Sequence, residues 1–236
     1  YHKLIIPFLI PFLLIMAIGP KLKWIKSNLE DKIYLFTLLI ISILLSILIV
    51  KNFSSNFLIN TILISSALYL FFITLRDFFS KRFKNLAQNT AHFGFSLLIL
   101  SILFNSLFSS EIITNLKVGQ TFENAKAKIV FESLSQKQGE NYKSIIGNFI
   151  IQDSKGRMEN LSPELRIYNQ PNITTSEADI KTTLLSDKFI VINLVQNQEF
   201  FNVRYQVKPF MLWIWISVIL ISFGGLISFV KKEYEK

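Results

Sequence analysis

Long runs of uncharged, apolar residues dominate this chain, and a single mixed segment interrupts them. Leu4–Gly19, Ile33–Val50, Phe57–Leu75, Leu86–Ser109 and Pro209–Val230 are such runs. Each of the last four is long enough, at about 1.5 Å per helical residue, to cross a hydrocarbon layer of about 30 Å. The first is shorter and carries Pro7 and Pro11. No helical amphipathic period breaks these runs, as expected where lipid replaces water around the helix. They predict a polytopic α-helical membrane protein of about five transmembrane helices.

Between the fourth and fifth runs, residues 112–207 change character. Apolar and polar positions alternate, which predicts strands at Ala127–Leu134, Tyr142–Gln152, Leu165–Tyr168, Phe189–Val195 and Phe201–Val207. Gln138-Gly139, Asp153–Gly156 and Asn169–Asn172 around Pro171 supply turn signals between them. Several short strands in under 100 residues predict a small β-rich sandwich or barrel. The expected organisation is therefore a membrane region over 1–111, a β-rich domain over 112–207, and a last helix with its tail over 208–236. The chain opens on Tyr1 within an apolar stretch, and it reads as the C-terminal part of a longer protein.

The net charge of +9 resides in short loops, because residues 112–207 carry eleven Lys/Arg against ten Asp/Glu. Nucleic-acid binding has no support in that distribution, whereas the positive-inside rule explains it. Lys21, Lys23, Lys26 and Lys32 follow the first span. Arg76, Lys81, Arg82 and Lys84 follow the third, and Lys231, Lys232 and Lys236 follow the fifth. Alternating spans place these three clusters on the cytoplasmic side and residues 112–207 outside. Trp24, Trp213 and Trp215 mark the membrane surfaces as interfacial anchors.

The chain has no cysteine. Thiol catalysis, disulfides, iron–sulfur ligation and thiolate metal sites within it are thereby excluded. Glu164, Arg166, Glu177 and Asp179 form no recognisable hydrolytic set, and G-x-S-x-G, H-E-x-x-H and phosphate-cradling glycine loops are absent. These charges read as a solvated surface, and no catalytic residue is assigned. Of two histidines, His2 lies at the outer end of the first span. His92 lies within the fourth, roughly 9 Å from its start at 1.5 Å per residue. An ionisable ring at that depth stays neutral and is either hydrogen-bonded to a neighbouring helix or bound to a ligand or proton path. Neutral imidazole is a strong axial ligand for haem iron. Ala91 and Gly94 beside it leave room for a flat macrocycle or a close helix.

Four stretches resemble the CcmF family, the large subunit of bacterial and mitochondrial cytochrome c haem lyase. They are Ala17-Ile18-Gly19-Pro20 with Trp24; Ala91-His92-Phe93-Gly94; Leu161–Tyr168 followed by Thr175–Ile180; and Lys208-Pro209-Phe210 with Trp213, Trp215 and Gly224-Gly225. Together, in this order, they resemble the family's C-terminal portion. That resemblance implies cytochrome c maturation in a bacterial or mitochondrial inner membrane, with 112–207 on the periplasmic or intermembrane-space side. It implies covalent attachment of haem to apocytochrome c, in company with a haem chaperone and apocytochrome-binding subunits. It implies a haem b in the membrane with His92 as one axial ligand of its iron, the second ligand and the substrate-haem segment lying in the N-terminal half. This chain alone is then not expected to catalyse attachment. A membrane assembly scaffold without redox chemistry and a transporter fragment are the competing readings. The near-absence of charge within the spans argues against the transporter.

Overall fold

A computed structural model describes residues 2–21, 29–51, 56–79, 86–154, 156–195 and 199–234. The chain divides into two compact units, residues 1–108 with 210–236 and residues 109–209.

The first unit is helical: α1 (His2–Ile18), a 3-10 turn (Gly19–Lys21), α2 (Leu29–Val50), α3 (Phe57–Phe79), α4 (Leu86–Phe108) and α5 (Met211–Tyr234). Only helices satisfy every backbone group internally in hydrocarbon, so charge-free runs of this length have no competing conformation. Among the described residues four helices are long and apolar enough to span a membrane, while α1 has 17 residues. The protein is a polytopic α-helical membrane protein with a β-sandwich ahead of its last helix. Helix α3 forms the unit's centre. Its Ile64, Leu68, Leu70 and Ile73 pack with Leu13 and Ala17 of α1 and Leu100 of α4. Ser65, Ser66 and Thr74 of α3 donate to carbonyls three or four residues back, the usual way a hydroxyl is satisfied inside a membrane helix.

The second unit is a sandwich of two antiparallel sheets. The strands are β1 (Ser110–Leu116), β2 (Thr121–Glu123), β3 (Ala127–Gln138), β4 (Tyr142–Asp153), β5 (Met158–Leu161), β6 (Glu164–Tyr168), β7 (Thr174–Glu177), β8 (Asp179–Thr182), β9 (Ser186–Leu194) and β10 (Phe201–Pro209). One sheet runs β1-β10-β9-β8. The other runs β2-β3-β4-β6-β7, with β5 also paired to β4. Alternating residues of β3, β4, β9 and β10 fill the space between the sheets, chiefly Ile129, Phe131, Phe149, Ile190, Ile192 and Val203. Phe131 stacks on Phe149 at 4.3 Å and meets the edge of Phe201 at 5.6 Å.

Both ends of this unit leave from one end of the four-stranded sheet. Ser110 pairs with Val207 and Pro209 pairs with Ser186. At the exit, Phe210 takes φ 61°, a left-handed conformation unusual for a bulky residue, and its ring lies 5.4 Å from that of Phe104.

Candidate functional site

Three faces of α4 are occupied, and they define where His92 sits. Ala87, Ala91 and Gly94 form one face, against α5. A Cβ on Gly224 would stand 2.7 Å from the Ala91 nitrogen and 2.8 Å from the Ala87 oxygen; one on Gly94 would stand 2.9 Å from the Ile221 nitrogen. The backbones thus meet through small residues, the arrangement that membrane helices use for close approach. Of the two uses that Ala91 and Gly94 permit, the close helix is the one realised. Gly224→Ala should therefore destabilise the helical unit by roughly 1–3 kcal/mol through overpacking. Gly225→Ala, with nothing within 4 Å of the new methyl, should not. Detergent-titrated unfolding of the two variants checks this.

A second face meets α3. Asn89 Nδ2 donates to the Asp77 carbonyl at 2.8 Å, and the Ser96 and Thr74 hydroxyls lie 2.6 Å apart. Phe93 stacks on Phe78 at 4.8 Å. A third face meets α1, where Phe95 and Phe12 pack edge to face at 6.0 Å. His92 stands one turn from Asn89, from Phe95 and from Ser96, so it belongs to the side of α4 between the α3 and α1 contacts. It is half-buried. Among the described residues nothing hydrogen-bonds its imidazole, although its neighbours one turn away on the α3 side are both bonded. Sequence reasoning singled out His92 and missed the Asn89–Ser96–Thr74 seam beside it. The signal was available as polar residues at 89, 92 and 96, spaced i, i+3, i+7.

The other residues singled out do different work. The His2 side chain and Trp24 lie outside the described residues, as do Lys23, Lys26, Lys81, Arg82 and Lys84 and the side chains of Lys21, Lys231, Lys232 and Lys236. Trp213 is half-buried at the start of α5, and Trp215 is exposed there. Glu164, Arg166, Glu177 and Asp179 are structural rather than simply solvated. Asp179 Oδ2 accepts from the Ser162 amide at 2.6 Å, and Glu177 accepts from Thr175 Oγ1 at 3.1 Å. Glu164 Oε2 accepts from Ser144 Oγ at 2.9 Å and from Arg166 Nε at 3.1 Å. Burial pushes the Glu164 carboxyl up, but hydrogen bonds from Ser144 and Arg166 outweigh it and hold the group below its ordinary value. A carboxylate with a lowered folded pKa adds stability above its unfolded pKa, lost as pH falls through the folded value. Urea unfolding followed from about pH 7 to about pH 3 should therefore show a shallower acid loss in Glu164→Gln than in the unmodified chain.

One polar cluster in the sandwich was not foreseen at all. Lys188 Nζ of β9 lies 2.9 Å from Glu159 Oε1 of β5 and 3.9 Å from Asp153 Oδ2 of β4. Arg157 also holds Asp153 Oδ2, at 2.7 Å. Tyr205 of β10 is close by: burial, with Glu159 and Asp153 adding to it, pushes its hydroxyl up to about 12. A lysine among carboxylates is a poor setting for a cation. Among the described residues no group of three or more His, Asp or Glu side chains is placed to hold a metal ion.

Comparison with known proteins agrees with this architecture. Residues 107–209 match the family described as the CcmF C-terminal beta-sandwich. The chain is 25% identical to the cytochrome c-type biogenesis protein CcmF of Pseudomonas fluorescens, an alignment that covers 100% of the chain and 38% of the relative. It is 24% identical to CcmF of Escherichia coli, over 97% of the chain and 37% of the relative. With the cytochrome c-type biogenesis protein ccl1 of Rhodobacter capsulatus it shares 30% over 145 residues, 61% of the chain and 22% of the relative. A solved structure of cytochrome c heme lyase CcmF superposes with a TM-score of 0.72 at 18% identity, covering 96% of the chain and 39% of that protein. That superposition establishes the fold. The chain spans about two fifths of the length of the CcmF relatives matched along nearly all of it.

Proposed function

We propose that this chain, which belongs with the C-terminal portion of CcmF, serves cytochrome c maturation as part of a haem lyase and supplies through His92 an axial ligand to a haem b within the membrane. The observation that carries the reading is the state of the His92 imidazole. It is half-buried within an apolar span and unbonded among the described residues, which leaves a ring nitrogen open to iron. A structural histidine would be expected to donate a hydrogen bond, as Asn89 does one turn away. The donor fits haem iron, and the two flanking seams fix the rotation of α4 about its own axis, which aims the ring. When bound, a haem b supplies one-electron chemistry. Within the chain, α5 closes one side of α4, α3 holds another through Thr74 and Asp77, and His92 presents its nitrogen from the side between α3 and α1.

In this reading the basic clusters face the cytoplasm or matrix. Residues 109–209 face the periplasm or intermembrane space, where apocytochrome c, the haem chaperone and the apocytochrome-binding subunits meet them. The rest of the lyase supplies the second iron ligand and the attachment chemistry.

Depletion of the protein in its own cell tests the function. Haem staining of denatured membrane proteins should show c-type cytochromes without covalent haem. Unchanged staining would overturn the proposal.

A further inference from the structure

We infer that the turn joining β8 to β9 rests in the bilayer interface, with Leu184 and Leu185 against lipid. Thr183 to Ser186 close this turn. The Thr183 amide and hydroxyl both donate to the Ser186 carbonyl, at 3.0 and 2.7 Å, and the Ser186 amide donates to Thr183 Oγ1 at 3.1 Å. The two residues at its tip are ones that turns select as Gly, Asn or Asp, for backbone freedom and for solvation. Here both are leucine, 62% and 64% exposed. Turn geometry does not call for them, since the Thr183 side chain already does the closing. Water does not favour them either.

Register says what surrounds them. Ser186 pairs with Pro209, Asp187 with Lys208, and Val207 with Ser110. The leucine turn therefore lies at the end of the sheet from which the chain runs directly into the end of α4 at Phe108 and the start of α5 at Met211. The first turns of α5 carry Trp213 and Trp215, the latter 63% exposed, as suits the headgroup level of a spanning helix. Lys181 flanks the turn on β8, and Lys208 stands opposite its base, paired with Asp187, so two lysines lie within reach of an anionic interface. Ile180, 58% exposed, extends the apolar surface along the edge strand. At the far end of the same sheet Leu194, 50% exposed, stands among paired polar side chains. There Asn202 bonds Asn115 at 2.9 Å, and Asn193 accepts from Ser176.

The chain contains no cysteine, so a single Leu185→Cys variant takes one nitroxide label. Leu194→Cys, nine residues on at the far end of β9 and roughly 30 Å away at the rise of a strand, is the matched control. Both would be reconstituted into vesicles of phosphatidylcholine and phosphatidylglycerol, and the labels' collisions with oxygen and with a water-soluble nickel chelate compared. The label at 185 should favour oxygen severalfold over nickel, and the label at 194 should do the reverse. A label at 185 that favours nickel as the one at 194 does would overturn the inference. So would a label at 185 shielded from both, which would point to a protein partner on the turn. Leu184→Cys repeats the test should the first variant fail to fold.

Discussion

Lys188→Ala is expected to cost the β-sandwich about 3–5 kcal/mol, enough to unfold most of it near physiological temperature if its stability lies within the usual range for small domains. The side chain is 7% exposed, and its ammonium joins β9 of one sheet to Glu159 and Asp153 of the other. Alanine removes the cation and leaves Glu159 without a charged partner among the described residues. Glu159 Oε2 already lacks a hydrogen bond among the described residues. Asp153 keeps Arg157, so the damage falls mainly on Glu159. Burying a lone carboxylate is what makes broken buried pairs so destabilising. Replacing both partners, as Lys188→Met with Glu159→Leu, removes the stranded charge and should recover stability to within about 1 kcal/mol of the unmodified chain. Amide exchange over residues 109–209 reads both variants. A single variant that loses less than about 1 kcal/mol would show that the pair is solvated in practice.

His92→Ala should have the opposite profile, with little effect on folding and a complete one on haem content. Its ring is half-buried and forms no hydrogen bond among the described residues, so truncation should cost about 1 kcal/mol or less. The α4–α5 seam at Ala91, Gly94 and Gly224 and the α4–α3 bonds at Asn89 and Ser96 are untouched by it. Ser96→Ala makes the useful contrast. It removes a helix–helix hydrogen bond, worth about 0.6 kcal/mol on average in membranes, and leaves the ligand in place. On that proposal purified protein should lose haem in the first variant and retain it in the second, and both, once stripped of haem, should unfold at nearly the same detergent fraction.

The helices were legible in the sequence because hydrocarbon leaves a charge-free run one option. Only their ends moved: α3 continues past Leu75 to Phe79, and α5 continues through the basic tail to Tyr234. In the sandwich, the five strands with clear alternation were visible, from Ala127, Tyr142, Leu165, Phe189 and Phe201. Four of the five that were not are short or polar; the fifth, Ser110–Leu116, follows directly on the apolar run of α4. Thr121–Glu123 has three residues, Thr174–Glu177 is entirely hydrophilic, and Asp179–Thr182 contains one apolar residue. Such strands exist because a neighbour offers hydrogen bonds, a long-range fact that no local pattern encodes. The same distinction divides the sites. His92 stood out as a histidine deep in an apolar span. The Thr74–Ser96 contact did not, because hydroxyls in membrane helices ordinarily bond their own backbone, and each of these lies within reach of such a carbonyl while one of the two donates to the other. Nothing local marks Lys188, since its partner Glu159 lies 29 residues away on the other sheet.

The most direct test is the reduced-minus-oxidised absorption spectrum of the protein purified from its own membrane with whatever copurifies, set beside His92→Gly with and without added imidazole. Ligation by His92 predicts a b-type spectrum in the unmodified protein, its loss in the glycine variant, and its return when free imidazole fills the vacated position. An identical spectrum and haem-to-protein ratio in the glycine variant would contradict it.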